Sequence, residues 1–208
     1  MPDLTLYHAV PSRSSIAHWM LEEVGEPYRL KLLDLQAGEN NEPAYLVVNP
    51  MGKVPALKHG DTVVTEAAAI CCYLADAFPK AGLSVPVGDE QRGPYLKWLF
   101  FGPSCIEPAV MDKAFKRAEA PPRSAAGWGD YDTVMDVLAD ALRAEPYLLG
   151  GQFTAADVVI GSGLRWGMQF KLIPERPEFV AYTRRLAERP ALKRATEFDA
   201  ELMAKRAS

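Results

Sequence analysis

Three stretches in the N-terminal third of the chain place polar groups where chemistry is possible. The run Ser12-Arg13-Ser14-Ser15 follows the apolar segment Leu4 to His8 and opens an apolar-periodic stretch. At the start of a helix the first amides have no partner inside it and the dipole favours negative charge. Hydroxyls there either cap the helix or help to hold an anion. Further on, Asn49-Pro50-Met51-Gly52-Lys53-Val54-Pro55-Ala56-Leu57 is a turn that feeds a Val-Pro pair into an apolar strand. Proline gives up one ladder donor, which leaves the backbone of Val54 open to another partner. Lys53 reads as a solvated turn residue. Finally, Thr65-Glu66-Ala67-Ala68-Ala69-Ile70 ends a strand and opens a helix, with a carboxylate in the first turn to complement its dipole. His8, His18 and His59 are scattered without ligand spacing and read as structural, so no metal is expected.

These residues need elements to hold them. Leu4 to His8 is a strand, and Ser12 or Ser14 caps a helix with Ile16, Ala17, Met20, Leu21 and Val24 on its inner face, ended by Gly25. Tyr28, Leu30 and Leu32 alternate with Arg29 and Lys31, the period of a half-buried strand. A short helix is expected near residues 43–48, then a hairpin of 54–58 and 62–64 around Gly60-Asp61. Thr65 is expected to cap a helix running to about Ala77, with Ala69, Ile70, Tyr73 and Leu74 inside. Strand-helix-strand followed by hairpin-helix predicts an α/β domain with a four-stranded mixed sheet, one parallel crossover and one antiparallel hairpin. Residues 79–88 are rich in Pro, Gly and Ser and read as a linker. Beyond them only helical spacing appears, over 90–101, 131–142, 155–170 and 178–188, with a last helix near Pro190. The expected organisation is an α/β domain over 1–80, a linker over 81–88 and an all-helical domain over 89–208.

Composition narrows the function classes. The chain has 208 residues, 49% hydrophobic and 24% charged, with a formal charge of −4. Nucleic acid and anionic membranes want a basic face, so neither is expected as a partner. No apolar run is long enough to span a bilayer, and Met1-Pro2-Asp3 lacks a secretory start, which predicts a cytoplasmic protein. The three cysteines fit that compartment: Cys71 and Cys72 are adjacent, Cys105 stands alone, and no Cys-x-x-Cys occurs.

The Val54-Pro55 turn, the Glu66 helix start and the α/β-then-helical order resemble the cytosolic glutathione S-transferases, in the bacterial, serine-type, theta-like form. A second stretch, Leu148-Leu149-Gly150-Gly151-Gln152-Phe153-Thr154-Ala155-Ala156-Asp157, supports the resemblance over essentially the full length. Its Thr154 and Asp157 form an S/T-x-x-D box, similar to the family's buried N-cap in the helical domain.

The resemblance implies a thioredoxin-like fold for the α/β domain and glutathione as co-substrate. It implies a cis Pro55, with the Val54 backbone pairing with the cysteine of glutathione. Glu66 would bind the α-amino group of the γ-glutamyl moiety, the amide of Ala67 would face its carboxylate, and Lys53 would help hold the tripeptide. The family usually has serine at position 67. Losing that hydroxyl weakens binding by about 1 kcal/mol.

Ser12 is the implied catalytic residue, with Ser14 as runner-up and Tyr7 as an outside candidate. A thiol of pKa ~8.5 is about 3% ionised at neutral pH, and lowering it by two units requires about 2.7 kcal/mol. One hydrogen bond to a charged acceptor supplies roughly 1.5–3 kcal/mol. Phe101, Met111, Phe115 and Trp166 read as core or wall residues. Gly102-Pro103 and Pro108 would bend their helix, so some of the four are expected to line a pocket for a hydrophobic electrophile. Lys113, Lys116 and Arg117 read as a solvated face. The implied function is detoxifying transfer of the glutathione thiolate to an electrophile by a homodimer. The alternatives are glutathione-dependent peroxide or disulfide reduction, and a non-catalytic binding or scaffold module.

Overall fold

The computed structural model describes residues 3–115, 119 and 121–207, the last by its backbone alone. Lys116 and Arg117 of the expected basic run lie outside the described residues. The elements of the first part are β1 (Leu4–His8), α1 (Ser14–Val24), β2 (Tyr28–Leu32), α2 (Pro43–Leu46), β3 (Ala56–His59), β4 (Thr62–Thr65) and α3 (Ala67–Ala77). Then follow α4 (Arg92–Phe101), α5 (Glu107–Ala114), α6 (Tyr131–Arg143), α7 (Ala155–Gln169), α8 (Pro177–Ala187) and α9 (Pro190–Ala207). By its contacts the chain forms two compact units, Met1–Leu83 with Glu188–Ser208, and Ser84–Ala187. The last helix therefore goes with the sheet rather than with the helices before it. Among the described residues no helix is long and apolar enough to cross a membrane.

In the first unit the sheet order is β2-β1-β3-β4. β1 and β2 run parallel, joined by α1, while β1–β3 and β3–β4 are antiparallel. Strand β1 is central, so Leu4 and Leu6 are fully buried. Helix α1 stops at Gly25, whose φ of 76° is left-handed and whose amide returns to the Leu21 carbonyl. Its buried face is wider than the periodicity predicts. Both α3 and α9 pack on it, so His18 and Trp19 are buried while Ile16 and Val24 are only half-covered.

The sequence predicts Thr65 as the cap of α3, and the structure does not bear this out. It is the last residue of β4, paired with Ala56, and the cap position passes to Glu66 with φ 65°. Strand pairing claims the threonine and leaves the carboxylate residue at the strand-to-helix corner.

In the second unit, α4 is not simply bent at its prolines. It passes through a π-helical stretch, Gly102–Ile106, directly into α5. Pro103 and Pro108 cannot donate amides back along the helix, and a wider turn accommodates the missing bonds. A Cβ at Gly102 would lie 2.8 Å from Cγ1 of Val159 on α7, so the close approach of these helices requires glycine there. Helix α7 is the centre of this unit, with Ala155, Ala156, Val158, Ile160 and Leu164 fully buried.

Candidate functional site

Strand register assembles the site. Tyr7 pairs with Ala56, and Ala56 pairs with Thr65, so the end of β1, the start of β3 and the end of β4 lie side by side. The loop carrying Ser12, the Val54-Pro55 entry and the Glu66-Ala67 corner therefore meet at one end of the sheet. From β1 to β4 is two strand spacings, roughly 10 Å. A tripeptide extended to about 10 Å spans that distance.

Each wall of this end has its own support. The Val54–Pro55 bond is cis, and so is Val10–Pro11, which the sequence reading did not anticipate. Among the described residues the Val54 amide and carbonyl make no hydrogen bond. Its side chain packs on the buried cluster of Tyr7, Leu33, Tyr45 and Ala56. Just before it, the Lys53 carbonyl accepts bonds from the Tyr45 hydroxyl at 2.5 Å and the Asn49 amide at 2.7 Å. Burial, eased by the bond to Asn49, pushes the Tyr45 hydroxyl up to about 12, so it stays a donor. The Lys53 side chain is exposed. At the corner, the Glu66 carbonyl takes the Ile70 amide at 2.9 Å, which opens α3. The amides of Ala67, Ala68 and Ala69 thus have no acceptor within the helix and form an anion-favouring N-terminus. The Glu66 side chain is exposed and makes no capping bond.

The two serines differ in setting. Ser14 is fully buried, whereas Ser12 is partly exposed. The Ser14 hydroxyl accepts from the Ala9 amide at 3.0 Å and lies 2.8 Å from Nδ1 of His8. The Ser12 Oγ lies 2.6 Å from the Ser14 Oγ, 2.7 Å from the Ala9 carbonyl, and accepts the Ser14 amide at 3.0 Å. Tyr7 is buried, its ring 5.4 Å from that of Tyr45.

Some residues escaped sequence reasoning. Tyr45 and Asn49 fix the Lys53 carbonyl. Asn49 had a legible signal, since its side chain accepts the Met51 amide two residues on, the habit of Asn in turns. His8 and His18, scattered in sequence, both converge on Asp199 of α9 at 3.0 Å. No spacing rule reaches across 191 positions.

The aromatic and methionine residues expected to be core or pocket wall are less buried than that. Phe101 and Trp166 are half-buried, while Met111 and Phe115 are exposed at 42% and 67%. Two clefts of about 440 and 350 Å³ flank α1 and the end of α3, and neither is lined by any of these four or by a residue of the sheet-end site. The cysteines are free, and burial raises the thiols of Cys71 and Cys105, which makes them poor nucleophiles.

In the second unit, Thr154 and Asp157 form a capping box at the start of α7. The buried Asp157 carboxylate accepts the Thr154 amide at 2.9 Å, the Leu148 amide at 3.0 Å and the Tyr182 hydroxyl at 2.8 Å. Its role is to hold α7 and the segment before it together.

A four-stranded mixed sheet with helices, followed by helices alone, defines a thioredoxin-like N-terminal domain carrying an all-helical C-terminal domain. Residues 2–76 match the family model "Glutathione S-transferase, N-terminal domain", and residues 127–190 match "Glutathione S-transferase, C-terminal domain". Glutathione S-transferase GstA of Escherichia coli O157:H7 is 31% identical over 199 residues, 92% of this chain and 96% of that one. Glutathione S-transferase theta-3 of Mus musculus is 30% identical over 174 residues, 78% of this chain and 72% of its own. The solved structure of a sphingomonad glutathione S-transferase complexed with glutathione is similar at a TM-score of 0.77 and 27% identity, covering 94% of this chain and 98% of that one. The chain belongs to the cytosolic glutathione S-transferase family.

Proposed function

We propose that the protein is a cytoplasmic glutathione transferase, which binds glutathione at the sheet end, stabilises its thiolate and transfers it to a hydrophobic electrophile. The observation that supports this reading is the register, which sets the end of β1, the start of β3 and the end of β4 side by side, so that the loop carrying the partly exposed Ser12, the unpaired Val54 backbone and the Glu66-Ala67 corner all leave from one end of the sheet. In this reading the cysteine backbone of glutathione pairs with Val54. The γ-glutamyl carboxylate sits on the Ala67 amide and its ammonium meets Glu66, while Lys53 holds the remaining end. Ser12 is the catalytic residue, because Ser14 is buried and its hydroxyl is engaged inside. Glutathione is the co-substrate, and Phe101, Met111, Phe115 and Trp166 of the helical unit supply apolar surface for the electrophile.

Two measurements test it. Millimolar glutathione should raise the melting temperature, since a ligand that binds only the folded state adds to stability. Ser12→Ala should keep that shift but raise the thiolate's titration midpoint, read from its ultraviolet absorbance, by about one to two pH units. Turnover with an aromatic halide, an isothiocyanate or an organic peroxide should fall in step. An unchanged melting temperature removes the reading. A Ser12→Ala curve that coincides with the wild type removes the assignment of that serine.

A further inference from the structure

Behind Ser12 the hydrogen bonds continue into the protein interior. Ser12 Oγ lies 2.6 Å from Ser14 Oγ, which lies 2.8 Å from His8 Nδ1, and His8 Nε2 lies 3.0 Å from Asp199 Oδ1. His8 and Ser14 are fully buried, and the Asp199 side chain is 13% exposed. Every member belongs to the same compact unit. The chain therefore runs from a partly exposed hydroxyl to a buried imidazole backed by a carboxylate, which is the order of groups in a nucleophile-base-carboxylate relay, with one hydroxyl added.

We propose that His8, held by Asp199, accepts the proton that the glutathione thiol gives up, through Ser14 and Ser12. This rests on the proposed glutathione site. Burial pushes the Asp199 carboxyl up, but bonds from His18, His8 and Ser15 outweigh it and hold the group below the usual carboxylate range. As an anion, Asp199 accepts the Nε2 proton of His8. The Nδ1 of a neutral His8 is then an acceptor for the Ser14 hydroxyl, which in turn accepts the Ser12 hydroxyl when both turn from the Ala9 carbonyl, their other acceptor at 2.7 Å from Ser12 Oγ and 3.0 Å from Ser14 Oγ.

When the thiol arrives, its S–H bond breaks and the electron pair stays on sulfur. The proton goes to Ser12 Oγ, the Ser12 proton to Ser14 Oγ, and the Ser14 proton to His8 Nδ1. Afterwards every hydroxyl in the chain points the other way. Ser12 donates outward to the thiolate, Ser14 donates to Ser12, and the imidazolium donates to Ser14 and Asp199. Once the electrophile has consumed the thiolate, the proton returns along the same chain to the leaving group or to water.

Ser12 is the group that touches the substrate. Ser14, His8 and Asp199 act through it and are positioning residues. The other groups that face this pair are His18, at 3.0 Å from the same carboxylate oxygen, Ser15 at 2.5 Å from the other oxygen, and Tyr28, which bonds both His18 and Glu22. Beyond them Arg194 pairs with Glu22.

The test is a proton count. Glutathione is mixed with wild-type protein in weak buffer near pH 7.5, thiolate is read by ultraviolet absorbance, and released protons are read with an indicator dye. A relay that ends on His8 forms thiolate while releasing far fewer protons than thiolates. One proton released per thiolate overturns the relay and leaves the glutathione site standing. No binding of glutathione removes both. In Asp199→Asn, which keeps the shape and removes the charge, the thiolate midpoint should rise by about one pH unit, a tenfold change, with glutathione affinity unchanged at pH values below the wild-type midpoint, where the bound thiol is protonated. A midpoint equal to the wild type's overturns the proposal. If that variant does not fold, the wild-type count alone decides.

Discussion

Glu66 combines a φ of 65° with an exposed side chain that makes no capping bond. A side chain other than glycine's costs ~1–3 kcal/mol in such a backbone region, so the residue is held there by its surroundings. The strain has a use if the carboxylate meets an ammonium at the strand-to-helix corner. Glu66→Gly should therefore stabilise the free protein by up to about 1 kcal/mol in chemical denaturation, after the extra flexibility of an unfolded glycine is set against the relief of strain. The same variant should lose most of the melting shift with glutathione. Glu66→Ala should lose the shift without the gain in stability. A Glu66→Gly protein that binds glutathione normally would release the carboxylate from the site. At this scale the sequence singles out Ser12, Val54 and Glu66 as candidates because each stands beside a local punctuation mark: a strand end, a proline, a helix start. The φ of Glu66 was not legible, since it arises from β4 pairing through Thr65 and not from any preference of glutamate.

Elements were legible where periodicity was long and strong, and blurred where two of them share a junction. The strands, α1 and the helices from α6 onward form where their apolar spacing predicts them, whereas α4 and α5 read as one interrupted helix. Prolines at 103 and 108 signalled a distortion without saying that a π-helical stretch would carry the chain through it. The segment leading into α7 is a stronger device than its four-residue box suggested. Losing a cap costs ~1 kcal/mol and up to about 2. Here the Asp157 carboxylate also satisfies the Leu148 amide and the Tyr182 hydroxyl, 9 and 25 positions away in sequence. Leaving buried donors unpaired costs roughly 1–3 kcal/mol each. Asp157→Ala should accordingly destabilise by about 3 kcal/mol or more, well beyond a lone cap, while glutathione affinity of the folded fraction stays normal. Denaturation beside a binding titration separates the two. Normal stability with lost binding would move Asp157 from the framework into the site.

At the scale of the whole chain, the long-range bonds of α9 are what no sequence window contains. Arg189, immediately before α9, grips Glu23 through two bonds of 2.6 and 2.7 Å, and Arg194 pairs with Glu22. Asp199 gathers His8, His18 and Ser15. Arg206 donates to the carbonyls of Val10 and Leu33 at 2.9 and 3.0 Å. The end of the chain thus bears on α1 and on the loop that carries Ser12. Assembly belongs to this scale as well: we propose a homodimer on family membership, and light scattering that returns the protomer's 22.9 kDa at micromolar concentration would remove it.

Acid stability tests the α9 anchor directly. Burial raises the Asp199 carboxyl, yet the bonds from His18, His8 and Ser15 bring it below its unfolded value of 3.8. In the unfolded chain the group takes up a proton at higher pH than in the folded one. Its contribution to stability is therefore fully present above the ordinary carboxylate range and is lost as pH falls below about 4 toward the depressed folded value. Neutral Asp199→Asn has no such proton to bind. It should be less stable than wild type at pH 6, and the gap should narrow steadily below pH ~4 as the wild type loses its advantage. Urea midpoints across that range measure the difference. A gap that stays constant down to the lowest pH would mean that the charge on Asp199 contributes nothing to holding α9, and that its bonds to the two histidines serve shape alone.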